Sequence, residues 1–316
     1  ELTELKEGDI LLNVLPNFHS FGFTVAGLMP LICGMKQTVL PSFMPPHKTL
    51  ETICVSQTNV LIIVPTMLTF LTSSIDHGAP CPKGVKLIVS GGDRLNVQLD
   101  KKVKDYFGVG ALEGYGLTEC SPVVCVNPSY ERRKLGTVGP FISGYEWRLT
   151  NEAKEDVTLK REGILWVRGA SVMSEYFRDP DKSADRFDGD WFNTGDYVRI
   201  DNEGYVQILD RVTDIIIVGG FNVYPQEVEA ILQTHPAVEQ AIVVGIPHQV
   251  NGEVPKAFVK KTQGMDLTQR EVIEFCKKHL AHYKVPRSVE FMDTFPLSNT
   301  GKVLRRLLKK EACTRS

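Results

Sequence analysis

The sequence predicts an α/β protein: a parallel α/β portion over residues 1–139, a β-rich antiparallel layer over 140–210 and a small α+β domain over 211–316. Three observations carry this. Short β-branched runs alternate with helical patterns up to about residue 114, strands without helices follow Pro140, and helix and strand alternate again after Arg211. Alternation of the first kind requires right-handed crossovers and hence a parallel sheet.

In the first portion, Ile10 to Leu15, Thr38 to Leu40, Val60 to Val64, Val85 to Val89 and Gly110 to Glu113 read as strands. Phe23 to Cys33, Thr49 to Gln57, Thr66 to Ile75 and Val97 to Phe107 between them have helical periodicity. Tyr145 to Thr150, Gly163 to Val167 and Tyr205 to Leu209 form the antiparallel layer, with the boundary at Asp210 to Asp214. The small domain reads as a strand Ile215 to Val218 and a helix opened by Pro225 and running through Leu232, then strands Val238 to Val244 and Ala257 to Lys260. A helix from Thr268 to Leu280 and a strand Val289 to Met292 complete it.

Composition bounds the function. The 316 residues carry 36 Lys plus Arg against 38 Asp plus Glu, a formal net charge of -2, which argues against nucleic acid as a partner. The longest apolar stretch, Phe21 to Met35, is 15 residues broken by three glycines and a proline, too short for about 30 Å of hydrocarbon. Seven cysteines without a CxxC pair, and an amino terminus with neither a basic nor an apolar leader region, read as reduced thiols in a cytoplasmic protein.

Several motifs invite chemistry. Gly108-Val-Gly110 lacks the third glycine and the following helix of a dinucleotide fingerprint, so it reads as a turn. Ser90-Gly91-Gly92-Asp93 and Glu113-Gly114-Tyr115-Gly116-Leu117-Thr118-Glu119 each follow a strand, where glycines let backbone approach a flat heterocycle or a phosphate. A Thr hydroxyl suits a phosphate oxygen and a neighbouring carboxylate suits Mg²⁺. Asp196, after Trp191-Phe192, and Arg211, after Asp210, are a carboxylate and a guanidinium of the kind that brace a ribose diol. Taken alone, each element reads first as a turn, a helix start or a surface ion pair. Gly301-Lys302 sits in a Ser/Thr-rich loop before a basic helix, without the glycine-rich lead of a phosphate-binding loop.

Taken in order from Leu15-Pro16-Asn17-Phe18-His19-Ser20-Phe21-Gly22 to the Lys302 loop, these segments resemble the adenylate-forming, or AMP-binding, superfamily. Ile216 to Pro225 and Tyr283-Lys284-Val285-Pro286-Arg287 are similar to the fatty acyl-CoA ligase branch, and His19-Ser-Phe-Gly-Phe and Glu119-Cys-Ser-Pro to acyl-carrier-protein synthetases. The resemblance implies ATP-dependent activation of a fatty acid to an acyl-adenylate and transfer to a thiol, that of CoA or of an acyl carrier protein's phosphopantetheine. It implies that Lys302 bridges carboxylate and α-phosphate, Thr118 binds phosphate and Glu119 holds Mg²⁺. Gly91, Gly92, Gly114, Tyr115 and Gly116 would line the adenine, Asp196 and Arg211 hold the ribose, and His19 gates the acyl pocket or simply packs.

In the family the small domain rotates between half-reactions, withdrawing the lysine and presenting Gly219-Gly220 to the thiol. Thr213 stands where the pivot is usually Asp or Lys. The family's Ser/Thr/Gly-rich loop ending in Pro-Lys-Gly is not in this sequence, which also lacks an initiator Met. The resemblance therefore implies the C-terminal part of a large AMP-binding domain plus the small lid domain, inactive alone; the contrasting reading is a noncatalytic remnant that binds nucleotide or a partner. Lys302, Arg305, Arg306, Lys309 and Lys310 read first as a solvated helix face, and otherwise as a docking surface for an acidic carrier protein, CoA phosphates or a peripheral membrane contact.

Overall fold

The computed structural model describes residues 5–297 and 303–314. It divides into two compact units, Glu1–Thr194 with Val198–Ile208, and Gly195–Tyr197 with Leu209–Ser316.

The first unit opens with β1 (Ile10–Asn13), a π-helix over Phe21–Leu28 running into α1 (Met29–Ile32), β2 (Lys36–Val39) and α2 (Pro46–Ser56). There follow β3 (Val60–Ile63), α3 (Pro65–Asp76), β4 (Leu87–Gly91), α4 (Val97–Phe107), β5 (Leu112–Gly116) and β6 (Val123–Val126). The strand order is β2-β1-β3-β4-β5-β6. The first five strands are mutually parallel and β6 is antiparallel to β5.

Strand β3, Val-Leu-Ile-Ile, is buried throughout because both faces of a parallel sheet are covered. Leu61 and Ile63 pack with Leu50, Leu68 and Val103 of α2, α3 and α4. Val60 and Ile62 face the other way, against Ala26 and Phe21 of the π-helix. Asn96 caps α4 by accepting from the Gln98 amide at 2.7 Å, and Gly108 ends it in the left-handed region, which is the turn expected there.

The antiparallel layer consists of β7 (Glu146–Thr150), β8 (Glu162–Arg168), β9 (Phe187–Asp188), β10 (Trp191–Ile200) and β11 (Val206–Arg211), in the order β11-β10-β8-β7 with β9 on β10. Two features differ from the sequence expectation. A helix, α5 (Pro180–Arg186), interrupts the layer, capped by Asp179. Strand β10 runs straight through Asn193-Thr194-Gly195-Asp196, a turn-like composition. Its burial alternates with period two, placing Phe192, Thr194, Asp196, Val198 and Ile200 inward. The Thr194 hydroxyl donates to the Leu165 carbonyl at 2.8 Å, so this polar residue is satisfied inside the sheet.

The second unit contains β12 (Ile216–Val218), β13 (Phe221–Val223), α6 (Pro225–Leu232), β14 (Val238–His248), β15 (Gly252–Lys261), α7 (Gln269–His279), β16 (Ser288–Phe291) and α8 (Arg305–Thr314). The sheet order is β13-β12-β15-β14, with β16 parallel to β15. Ala241 and Val243 of β14 pack against α6 and α7, and Ile242 and Val244 against Leu308 and Ala312 of α8. A capping box of Thr268 and Glu271 starts α7. The β14–β15 hairpin is longer than its apolar runs suggested, because pairing continues through Pro247 and Pro255 to His248 opposite Gly252.

Candidate active site

Parallel strands end on one edge, where ligands of such sheets bind. Three candidate segments lie at that edge: His19 and Ser20 after β1, Gly91 and Gly92 at the end of β4, and Thr118 and Glu119 after β5. Gly91 pairs with Gly114 across β4 and β5. Gly116 must be glycine, since a Cβ there would lie 1.9 Å from the Pro122 carbonyl oxygen. Tyr115 packs with the apolar cluster of the β layer. Thr118, Glu119 and Cys120 form a single 3₁₀ turn, with Thr118 exposed and Glu119 half-buried.

Neighbouring side chains hold that turn. The Ser20 and Thr118 hydroxyls are 3.0 Å apart and share a hydrogen bond, which ties the loop after β1 to the turn after β5. The Tyr176 hydroxyl donates to Glu119 Oε1 at 2.8 Å, and the Met173 amide to the Glu119 carbonyl at 2.8 Å. Burial, and then the carboxylate beside it, push the Tyr176 phenol up to about 12, so it stays a donor. His19 is half-buried, and its Nδ1 accepts from the Phe21 amide at 3.2 Å, which orients the ring at the start of the π-helix.

Sequence reasoning did not single out Ser20, Tyr176 or Glu113 as site residues. Tyr176 lies 57 positions from Glu119, in a stretch with no period or glycine signal. Glu113, 5% exposed, accepts from the Leu95 amide at 3.1 Å and the Gly136 amide at 3.3 Å, joining the segments behind Gly92 and Gly114. Burial pushes its carboxyl up to about 7 despite those amides and Arg94.

In the second unit, the Asp196 carboxylate, 2% exposed, pairs with Arg211 Nε at 2.7 Å, while the arginine side chain is half exposed. The two residues expected to brace a diol are thus together. Gly219 and Gly220, with φ of 57° and 88°, form the two-residue turn joining β12 to β13. Positive φ at both central residues is the type I′ geometry, one of the two turns whose twist matches such a hairpin. Beside it lies a pocket of about 290 Å³, lined among others by Gly219, Phe221, Asn251, His282, Tyr283 and Arg287. The Phe221 and Tyr283 rings stack with centroids 4.7 Å apart. Lys302 lies outside the described residues, as does Gly301. Of the basic segment that follows, Arg305 binds Glu229 in a largely buried pair and Lys309 binds Glu253 nearer the surface.

The hard oxygen donors of Glu119 and Thr118 fit Mg²⁺, which typically takes one or two protein carboxylates plus substrate phosphates and water. The described residues contain no cluster of three or more His, Cys, Asp or Glu placed to hold a metal. No helix among them is long and apolar enough to cross a membrane.

The AMP-binding enzyme family model matches residues 1–177, and the AMP-binding enzyme C-terminal domain model matches residues 227–302. The long-chain-fatty-acid–CoA ligase of Yersinia pestis is 35% identical over 303 residues, which is 96% of this chain and 54% of that enzyme. The chain thus spans about half the length of that curated relative. The crystal structure of ATP-bound MatB from Rhodopseudomonas palustris superposes with a TM-score of 0.87 at 32% identity, covering 97% of this chain and 60% of that one. The o-succinylbenzoate CoA synthetase MenE of Bacillus subtilis, in complex with its acyl-adenylate intermediate, gives 0.84 at 31%, covering 97% and 62%. A strand-end cluster at the edge of a parallel sheet, a braced buried carboxylate and a family match over more than half the chain lead to one assignment: the chain belongs to the AMP-binding enzyme family.

Proposed function

We propose that this chain is the nucleotide- and acceptor-handling portion of an ATP-dependent acid–thiol ligase that activates a fatty acid. The observation that carries this reading is the Asp196–Arg211 pair, a carboxylate 2% exposed and braced by a half-exposed guanidinium. A diol offers two hydroxyl donors to such a carboxylate, and a ribose is the diol of ATP and of acyl-adenylate alike.

In the first half-reaction a carboxylate oxygen attacks the α-phosphorus of ATP, and the bond to the bridging oxygen breaks to release pyrophosphate. Both reactants are anions, so positive charge placed in advance lowers the barrier most. Lys302 is the proposed bridge, and the Thr118 hydroxyl, fixed by Ser20, the phosphate contact. Bound Mg²⁺ would neutralise phosphate charge beside Glu119, whose Oε1 is oriented by Tyr176. The adenine would lie along Gly91, Gly92 and the Gly114-Tyr115-Gly116 strand end. His19 borders the acyl side in this reading, and Thr213, in the turn Val212–Asp214, is the pivot.

In the second half-reaction the acceptor sulfur attacks the acyl carbonyl and AMP leaves. Coenzyme A is the favoured acceptor. Stacked Phe221 and Tyr283 with His282 and Arg287 around a 290 Å³ pocket suit a phosphorylated nucleoside, which an acyl carrier protein does not bring. Fatty acids are favoured as substrates because the ligase of Yersinia pestis named above acts on them, while the relationship to MenE keeps aromatic acids in the test.

The experiment supplies the protein at its full natural length with ATP, Mg²⁺, CoA or acyl carrier protein, and a panel of fatty and aromatic acids. Formation of AMP and a fatty acyl-CoA in equal amounts is the expected result. Nucleotide binding without AMP formation from any acid would instead identify a noncatalytic remnant.

A further inference from the structure

We infer that Arg305 is a positioning residue for the adenylation half-reaction, through an ion cluster with Glu229 and Asp210 that joins the base of the Lys302 loop to the backbone of Arg211. The inference rests on the proposed role of Lys302.

Arg305 opens α8 three residues after Lys302, a reach of at most about 11 Å of chain. Its guanidinium grips Glu229 of α6 with two bonds, Nη1 to Oε1 at 2.5 Å and Nη2 to Oε2 at 2.7 Å. Nη1 also donates to the Val243 carbonyl at 3.1 Å, and Glu229 Oε1 accepts from the Val243 amide at 2.7 Å. The fork is therefore fixed in direction as well as in distance. Asp210, 1% exposed, contributes a second carboxylate to the field at Arg305. Its own oxygens accept from the Arg211 amide at 2.8 Å and the Gln226 amide at 3.1 Å. Glu229 thus takes bonds from β14 and from the first residue of α8, while Asp210, whose charge acts on Arg305, takes bonds from Arg211 and from α6.

The grip is not needed to dock α8. Leu308 and Ala312, at 0% and 1% exposure, already bury that helix against Ile242, Val244 and Phe258. Burying a guanidinium and two carboxylates costs desolvation that an apolar trio of similar size would not, so such a cluster is weak as a source of stability and strong as a source of fixed geometry. What it fixes is the described chain at Val303–Arg305, next to Lys302 in sequence. Leu297 bridges to Val303, the Leu304 amide donates to the Pro296 carbonyl at 2.8 Å, and Arg305 follows at once. The residues on both sides of 298–302 are held, and the carboxyl-terminal side is held by charge.

The test measures the two half-reactions separately in the protein at full natural length: pyrophosphate exchange into ATP, and transfer to CoA from supplied acyl-adenylate. Arg305→Met is expected to lower kcat for exchange about 100-fold, the scale of an ångström-sized misplacement, with KM for ATP little changed. Transfer should stay within about twofold, because it uses the Gly219-Gly220 face and so reports that the unit is folded. Arg305→Lys should recover part of the loss. If Arg305→Met unfolds the unit, Glu229→Met/Arg305→Met removes both charges together and takes its place. Exchange at the normal rate, or equal loss of both half-reactions in that double variant, overturns the inference. Lys302→Ala runs alongside: exchange that survives it refutes the role of Lys302 itself, whereas exchange lost there but intact in Arg305→Met refutes only the positioning claim.

Discussion

The turn after β5 and the ion cluster of the small unit hold functional groups by opposite means. Thr118 and Glu119 sit half in solvent, on glycine-shaped backbone, and are steadied by the neutral hydroxyls of Ser20 and Tyr176. Glu229 and Arg305 are satisfied by each other and by backbone, and buried Asp210 by two backbone amides. The first arrangement leaves carboxylate and hydroxyl open to a ligand. The second closes its groups off and spends them on geometry. At these two places exposure goes with the residues that would touch substrate and buried charge with those that would aim them, whereas Asp196, 2% exposed, combines burial with a proposed ligand contact.

The sharpest break of the first arrangement is steric. Gly116→Ala puts a methyl group 1.9 Å from a carbonyl oxygen, with neither side free to yield, and should cost about 3 kcal/mol or more. Urea unfolding measures it, and a loss under 1 kcal/mol would mean the β5–β6 turn relaxes easily.

Asp196→Ala separates a ligand role from a structural one. The affinity for ATP should fall about tenfold or more while that for fatty acid is unchanged, since only the nucleotide carries the diol. Titration calorimetry on the full-length protein decides it. Equal losses for both ligands would make the Asp196–Arg211 pair a structural bridge.

Buried charge predicts pH dependence, and its sign follows from the shift. Burial, with Glu229 adding to it and Arg305 opposing, pushes the Asp210 carboxyl up to about 7 from an ordinary 3.8. The unfolded chain therefore gives up this proton near pH 4, whereas the folded chain keeps it until about pH 7. Across that window the folded state binds more protons, so this group's contribution to stability is complete below pH 4 and is lost as pH rises through 7. Asp210→Asn should flatten that decline relative to the parent chain, as should Glu113→Gln, whose carboxyl is likewise pushed up to about 7 by burial. Denaturant melts from pH 4 to 8 would show it; identical pH slopes for parent and both variants would contradict it.

The smallest effect belongs to Tyr176→Phe. Removing one hydrogen bond to Glu119 should cost about 1 kcal/mol, a several-fold loss of apparent Mg²⁺ affinity in adenylation and of Mn²⁺ binding read by paramagnetic resonance. No change in either would leave Glu119 oriented by its backbone alone.

Most of the fold was legible because it follows period and punctuation. Strand β3 is an uninterrupted apolar run, α4 carries its Asn96 cap and Gly108 stop, and α6 begins at a proline. Strand β10 was not, because Asn-Thr-Gly-Asp in the middle of a strand is favourable only where the partner strand supplies bonds, as Leu165 does for Thr194. The same divide runs through the site. Glycines and adjacent acid and hydroxyl groups announced Gly116, Thr118 and Glu119 within one short segment. Tyr176 and the Arg305 cluster depend on contacts 57 and 76 positions apart, which no local pattern encodes.

The most direct test of the account is exchange of labelled pyrophosphate into ATP by the protein at full natural length, with and without fatty acid. Exchange that requires both a fatty acid and Mg²⁺, that disappears in Lys302→Ala and that needs about tenfold more ATP in Asp196→Ala, is the predicted result. Nucleotide binding with no fatty-acid-dependent exchange in the unaltered protein would contradict it.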